Sequence, residues 1–426
     1  MTTILAGVTA ALAGIGATEA LAVSRLVASF ARRPVAPPAI RPPVTVLKPL
    51  HGDEPLLEDA LASLCQQDYP DWQIVFGVRD VADPAVAVVR RLQARFPDVD
   101  IALVADATLH GRNRKVGNLI NMQAAARHDI LVIADADVHT RPDYLDRLVE
   151  ALLRPGVGLV TTLYAGLPAP AEAGAAWPEE PLPPPVAARL GATQITHLFL
   201  PGAVLARSLG RQDCLGATMA LRRDDLDRIG GFHALVDHLA DDNVLGRRIA
   251  ALGLGVALAD TLTLTTVPET GLRALFRHEL RWARTIRALE PAGFAASVVQ
   301  YSLAWGLLTV ALSGGALWSV GLFFAAWLLR AIAASGVDQA LHALWSPRGP
   351  EDLGADTRSF HDVVALAFRH PVWLLPLRDL FSVAVMLASY GGRHVDWRGH
   401  GLQADTPPPF TDQSLALRPI ERSNAR

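Results

Sequence analysis

An α/β domain built on a largely parallel sheet, with apolar helices at both ends that reach a bilayer, is the architecture this sequence predicts. Three observations predict it. Short β-branched runs alternate with helical stretches from Val44 to about Pro268, long charge-poor apolar runs lie outside that segment, and acidic residues stand directly after strand-like runs. Of the 426 residues, 51% are hydrophobic and 19% charged, a balance produced by averaging a normal core with a few membrane segments. The formal net charge of −3 speaks against a nucleic-acid partner, which needs a dense basic surface. Two isolated cysteines, Cys65 and Cys214, make neither a disulfide framework nor a thiolate metal centre and fit a reducing compartment.

Taken in order, residues Thr2 to Val23 are almost wholly apolar, with Glu19 the only charge, and Arg25, Arg32 and Arg33 follow. A hydrocarbon core of roughly 30 Å needs about 20 apolar residues in a helix, so this run is long enough to span. A cleaved signal peptide is the alternative, but no basic segment precedes the run. Arginines on its downstream side place that side in the cytoplasm. After a Pro-rich linker, Pro34 to Pro43, strands are expected at Val44–Leu47, Gln73–Val78, Ile101–Val104, Ile130–Ala134 and Leu159–Tyr164. Helices are expected between them at Leu56–Gln66, Pro84–Arg95, Lys115–Ala126 and Pro142–Leu153. Such alternation implies βαβ crossovers, with ligands at the carboxyl ends of the strands. The stretch Pro168 to Pro185, dense in Pro, Ala and Glu, is expected as a mobile surface loop.

Phe294–Leu312 and Ala316–Leu329 are charge-free runs joined by Gly314-Gly315, the pattern of a membrane hairpin. The last apolar run, Val372–Tyr390, carries Arg378 and Asp379 in its middle. Each charge costs about 2.5 to 3.5 kcal/mol at a bilayer centre, so a re-entrant or interfacial helix is expected, with the charges paired or facing the active site.

The chemistry-bearing residues cluster at strand ends. Asp135-Ala-Asp137 follows the run ending at Ala134, and residues two apart on an extended chain share a face, so both carboxylates can hold one hard cation, Mg2+ or Mn2+. Asp80 ends the Ile74–Val78 run and is free to meet a base or ribose, whereas Asp83, before Pro84, is expected to cap a helix. Arg112, Arg114 and Lys115 lie at a helix start, where a diphosphate is favoured, although a solvated basic loop has the same composition. Asp241-Asp242 precede a helix, and Asp242 is the better candidate base, with helix capping the alternative for both. His278, Arg281 and Trp282 share one face of a cationic helix, where Arg281 is suited to phosphate and Trp282 to packing beside an acceptor. Arg273, Arg277, Arg284 and Arg287 are better suited to lipid headgroups.

Together, Lys48-Pro49-Leu50, Gly77-Val-Arg-Asp80 with Asp83-Pro84, Lys115-Val-Gly-Asn118, Asp135-Ala-Asp137, Asp241-Asp242 and Arg281-Trp282 resemble the ceramide glucosyltransferase family of GT-A glycosyltransferases, over roughly residues 44 to 290. Within it the chain most resembles the bacterial hopanoid-associated branch. That resemblance implies transfer of N-acetylglucosamine from its UDP donor to a bacteriohopanetetrol hydroxyl, with ceramide and UDP-glucose as the competing pair. It also implies residue roles. Lys48, Pro49, Asp53, Asp80, Lys115, Asn118 and Asp135 would contact the UDP-sugar; Asp135 and Asp137 would hold the metal; Asp242 would be the base; and Arg281 with Trp282 would close the [QR]xxRW motif. His278 departs from that motif's usual Gln or Arg, and a neutral imidazole holds phosphate less well. The implied organisation is an anchor at 1–33, a cytosolic catalytic domain at 34–290, membrane and interfacial helices at 291–392 and a polar tail at 393–426, in a bacterial-type inner membrane. A nucleotidyl- or sugar-phosphate transferase is the rival enzyme class, excluded if UDP is released free, and a non-catalytic membrane scaffold is the rival outside enzymes.

Overall fold

The computed structural model describes residues 2–34, 37–178, 180–346 and 366–392, with the backbone of 394–397 and 400–403; the rest of the expected polar tail lies outside the described residues. Eight strands form one sheet: β1 (Val44–Pro49), β2 (Trp72–Val78), β3 (Asp100–Ala105), β4 (Ile130–Ala134), β5 (Val138–His139), β6 (Val157–Pro168), β7 (Thr218–Arg222) and β8 (Gly255–Val267). Their order is β3-β2-β1-β4-β7-β6-β8-β5. The first four in that order are all parallel, as the alternating sequence predicts. In the second half, β7 inserts antiparallel between β4 and β6, β6 and β8 run parallel, and β5 closes the edge antiparallel.

The parallel half is covered on both faces, which is why its strands are apolar almost throughout. Val46 pairs with Ile74 and Val132, and these point into one core with Val44 and Phe76. There they meet α2 (Leu57–Cys65), α3 (Ala85–Arg95) and α5 (Tyr144–Leu152). The alternate residues Leu47, Val75, Leu131 and Ile133 form a second core with α4 (Arg114–Met122) on the other face. α1 (Thr2–Ala31) precedes all of these as one continuous helix, longer than the expected apolar run.

After β6, the loop expected at Pro168–Pro185 is fastened to the start of α2: Leu56 N–H donates to Gly174 O at 2.8 Å and Trp177 N–H to Asp59 Oδ2 at 2.6 Å. The chain continues through α6 (Val186–Gln194), a π-helical turn at Ile195–Phe199, α7 (Leu200–Ser208), α8 (Arg223–Arg228), α9 (Asp241–Ala251) and α10 (Leu272–Leu289).

The apolar end comprises α11 (Pro291–Ala296), α12 (Ser302–Leu312), α13 (Leu317–Trp345) and α14 (Leu375–Ser389). Thr2–Ala31, Leu317–Trp345 and Val372–Ser389 are long and apolar enough to cross a membrane. The run Phe294–Leu312, expected as one straight arm of a hairpin, is instead bent by 64° between Pro291–Gln300 and Ser302–Leu312. The bend frees backbone groups that a straight helix would pair internally. Buried charges take them up: Arg330 Nη1 donates to Gln300 O at 2.7 Å, and Asp379 Oδ2 accepts from Leu303 N at 2.9 Å. The two charges also pair with each other at 3.3 Å. Beyond the bend, Gly314 and Gly315 both take left-handed conformations, φ 68° and 77°, which turn α12 into α13 without a Cβ penalty. α1 packs against both helices, with Thr309 Oγ1 donating to Thr9 Oγ1 at 2.8 Å.

Candidate active site

The acids converge at the carboxyl end of β4. Asp135-Ala-Asp137 is a tight turn, closed by Val138 N–H donating to Asp135 O at 3.2 Å, and not the extended segment expected. The chain must turn there because β5 leaves to pair with β8, Val138 opposite Thr265. That register sets Thr265 beside Asp137, and its hydroxyl donates to Asp137 Oδ2 at 2.5 Å. Burial, and then the adjacent Asp135 carboxylate, raise the Asp137 pKa.

Lys115 sits amid the acids. α4 starts where Asn113 Oδ1 accepts Val116 N–H at 3.1 Å, and Lys115, in this first turn, reaches toward the end of β4. Its ammonium lies 2.6 Å from Asp135 Oδ1 and 3.8 Å from Asp241 Oδ2. Burial opposes its charge, but Asp135, Asp241 and Asp242 together hold the pKa above the ordinary value. Asp241 also accepts from Asn113 Nδ2 at 3.2 Å, while its Oδ2 is buried with no hydrogen bond. Neither Asp241 nor Asp242 caps α9 through its side chain in the expected way; Asp242 Oδ1 accepts only the next backbone N–H, that of Asn243, at 2.8 Å. Asp242 is pushed up to about 7, first by burial and then by Asp241. Gly216 leaves room for it, since a Cβ there would stand 2.9 Å from Asp242 Oδ2.

The remaining donor-side residues divide. Lys48 is fully buried beneath the acids, donating to Val138 O at 2.8 Å, with a pKa lowered to about 8 by burial against the pull of Asp137 and Asp135. Pro49 ends β1 opposite Gly77. Asn118 donates to Gly77 O at 2.8 Å and keeps a buried Oδ1 without a partner, lining a cleft with Arg79, His110 and Asn113. Asp80 follows Arg79 at the end of β2 but is exposed and accepts Ala82 N–H at 2.9 Å; its described contacts do not include the other acids. Asp83 caps α3 through Ala85 N–H at 2.9 Å, as expected, and also accepts Gly52 N–H at 3.0 Å. Asp53 is exposed, and the acid of its loop that acts on Lys48 is the adjacent Glu54.

On α10, His278 and Trp282 meet edge-on with ring centroids 4.8 Å apart, and His278 Nδ1 pairs closely with Glu269. Arg281 lies on the same helix, half-buried. Trp282 packs on Ala188, Ala192, Ile195 and Val267 together with Tyr164 and Phe199. Tyr164 ties that patch to the acids: after burial, Asp242, Asp135 and Asp137 all raise its pKa. Sequence reasoning did not single out Tyr164, Thr265 or Gly216. The one local signal was a tyrosine closing the apolar Leu159–Tyr164 run.

A family model described as glycosyl transferase family 21 matches residues 8–408. The chain belongs to this family. It is similar to ceramide glucosyltransferase 1 of Caenorhabditis elegans, 23% identical over 280 residues that cover 64% of this chain and 56% of that protein. It is also similar to a ceramide glucosyltransferase of Komagataella phaffii, 35% identical over 115 residues that cover 26% of this chain and 23% of that protein. The chain thus spans little more than half of the first relative and under a quarter of the second. Among solved structures it is similar to the mannosyltransferase PcManGT from Pyrobaculum calidifontis in complex with GDP-Man and Mn2+, with a TM-score of 0.49 and 22% identity over 91% of this chain and 99% of that one.

In this family 21 chain the acids suit a divalent ion. Four carboxylates crowd two ammonium groups, Asp241 Oδ2 is buried without a hydrogen bond, and Asp137 is pushed toward its neutral form by burial and then by Asp135. A hard cation relieves that repulsion and prefers oxygen ligands. Asp135 and Asp137, two residues apart in the turn after β4, offer oxygen ligands of that kind.

Proposed function

We propose that this family 21 chain transfers a sugar from a nucleotide-diphosphate donor to the hydroxyl of a membrane lipid, with inversion at the anomeric carbon. The observation that carries the reading is Asp242, a carboxylate pushed up to about 7 beside the Asp135–Lys115 pair. A base poised near neutrality is suited to removing a hydroxyl proton as the oxygen attacks. In that step the acceptor oxygen bonds to the anomeric carbon, the bond to the diphosphate oxygen breaks, and the proton moves to Asp242. Mg2+ or Mn2+ held by Asp135 and Asp137 would neutralise charge on the departing diphosphate. Lys115 adds a fixed positive charge there, and Lys48 supports the turn from below through Val138. Asn118 Oδ1, buried near Arg79 and His110 without a hydrogen bond, is available to accept from a base, and Asp80, exposed just after β2, is proposed as a further nucleotide contact.

For the finer assignment we take UDP-N-acetylglucosamine as donor and bacteriohopanetetrol as acceptor, at a bacterial-type inner membrane with the acids on the cytoplasmic side. The second reading, UDP-glucose and ceramide, is favoured by the relatives' names. The test incubates the detergent-purified chain with each labelled donor and each lipid, and identifies the product by lipid mass spectrometry. A hexosamine-bearing hopanoid with release of free UDP is the expected result. Glucosylceramide would replace the finer assignment, and release of UMP without UDP would overturn the transfer itself.

A further inference from the structure

Away from the acidic site, three side chains from distant parts of the chain meet. His197 comes from the π-helical turn, Asp338 from the late part of α13, and His370 from just ahead of Val372. His197 Nε2 and His370 Nδ1 each lie 3.2 Å from the same oxygen, Asp338 Oδ1, and all three ligand atoms fall within 4.8 Å of one another. Zinc bonds of about 2.0 to 2.1 Å in a tetrahedron set neighbouring ligand atoms about 3.3 Å apart, so two edges already have the required length.

The hydrogen bonding points the same way. The His197 side chain is 3% exposed, yet neither of its ring nitrogens has a hydrogen-bond partner, its 3.2 Å approach to Asp338 included. His370 is as deeply buried; its Nδ1 meets Asp338 Oδ1, while its Nε2 has no partner. Buried polar atoms are normally satisfied, and the His197 nitrogen brought to a carboxylate oxygen without hydrogen-bond geometry, beside a His370 nitrogen that shares the same oxygen, has the arrangement of a ligand around an ion. Asp338 and His370 also line a cavity of about 390 Å³ with Ser335, Gln339 and Phe368, which leaves space for a water or ligand oxygen in a fourth position. A π-turn that supplies one of the three side chains is itself a frequent mark of a functional position.

We propose that His197, Asp338 and His370 form a second cation site, for a borderline transition metal of the zinc type and distinct from the oxygen-only pair Asp135 and Asp137. Two imidazoles and one carboxylate favour such an ion over Mg2+ or Ca2+. The ion would join the catalytic domain, through a turn whose Phe199 packs on Tyr164 at 4.8 Å, to α13 and to the start of the last apolar helix. It would thereby stabilise that junction.

The test measures metal content by elemental analysis on the full chain purified in detergent, saturated with Zn2+ and dialysed free of excess. About one equivalent is expected in the wild type and in an Asp135→Asn/Asp137→Asn variant, falling at least about tenfold in His197→Ala and in His370→Ala. His370→Gln, which keeps the volume and a hydrogen bond to Asp338, covers the case in which an alanine variant does not fold, and is expected to lose the ion equally. Chelation should lower the wild-type thermal midpoint and leave that of His370→Gln unchanged. Zinc absent from the saturated wild type, or retained by His370→Gln, would show that the three side chains form only a hydrogen-bonded cluster.

Discussion

Two groups of buried charge in this molecule, one among the apolar helices and one after β4, are built on opposite rules. At the membrane end, Arg378 is fully buried and completely used: it donates to both oxygens of Glu279 at 2.7 and 2.6 Å, to Leu190 O at 3.1 Å and to Ser382 Oγ at 3.1 Å. Arg330 and Asp379 are likewise paired, and they also take up the carbonyl and N–H released by the bend. Two cations there face two acids. At the end of β4, four acids gather around Lys115 and Lys48, an oxygen of Asp241 has no hydrogen bond, and Asp242 is pushed up to about 7. Balanced, saturated charge holds a structure together, whereas unbalanced charge is free energy held for a ligand.

The comparison can be broken at either end. The largest effect is expected from Asp242→Asn, which keeps the shape and removes the base: turnover should fall by about a hundred- to ten-thousand-fold with donor binding retained, measured by steady-state kinetics and calorimetry. At the membrane end, Arg378→Met strands Glu279 and should destabilise the fold by about 3 to 5 kcal/mol, most of it regained in Arg378→Met/Glu279→Leu, as read by unfolding of the purified protein. An equal loss in single and double variants would show that the pair does not act as a unit. Thr265→Val removes the hydroxyl that orients Asp137, and the apparent metal affinity should weaken about 10- to 100-fold, with turnover recovering at saturating metal.

The smallest effect is graded by pH. Because Asp242 acts as its anion, activity should fall about tenfold per unit below its pKa, near 7. Stability moves the other way. Between the ordinary carboxyl value of 3.8 and about 7, the folded protein keeps a proton that the unfolded chain has lost, so stability declines as pH rises through that window. Asp242→Asn should flatten this slope in unfolding experiments at several pH values.

What was legible in the sequence was local. The runs now seen as β1 to β4, and the acids standing after β2 and β4, follow from short β-branched stretches between helical ones and from residues adjacent in the chain. Of the later strands only β6 showed, as the run Leu159–Tyr164; β7 is five residues long and owes its place to antiparallel pairing with β4 and β6, distant in sequence. Tyr164 and Thr265 join the site only because β8 pairs with both β6 and β5, so no local pattern announces them. The bend before Ser302 was hidden in a charge-free run, since the carboxylate and guanidinium that satisfy its backbone groups come from α14 and α13. Arg378 and Asp379 were legible as anomalies, and pairing was the correct expectation; their partners, Glu279 and Arg330, were not.

One contact ties the segment just after the acidic turn to the longest apolar helix but one. Arg141, from the loop after β5, grips the last carbonyls of α13, at 2.8 Å to Leu344 O and 3.0 Å to Ser346 O, with Trp345 O between them. A side chain of the sheet thereby terminates a rod of 29 residues, longer than the roughly 20 that a hydrocarbon core requires. In the membrane setting proposed above, each turn added to or deleted from that rod would shift the sheet by about 5.4 Å along the helix axis.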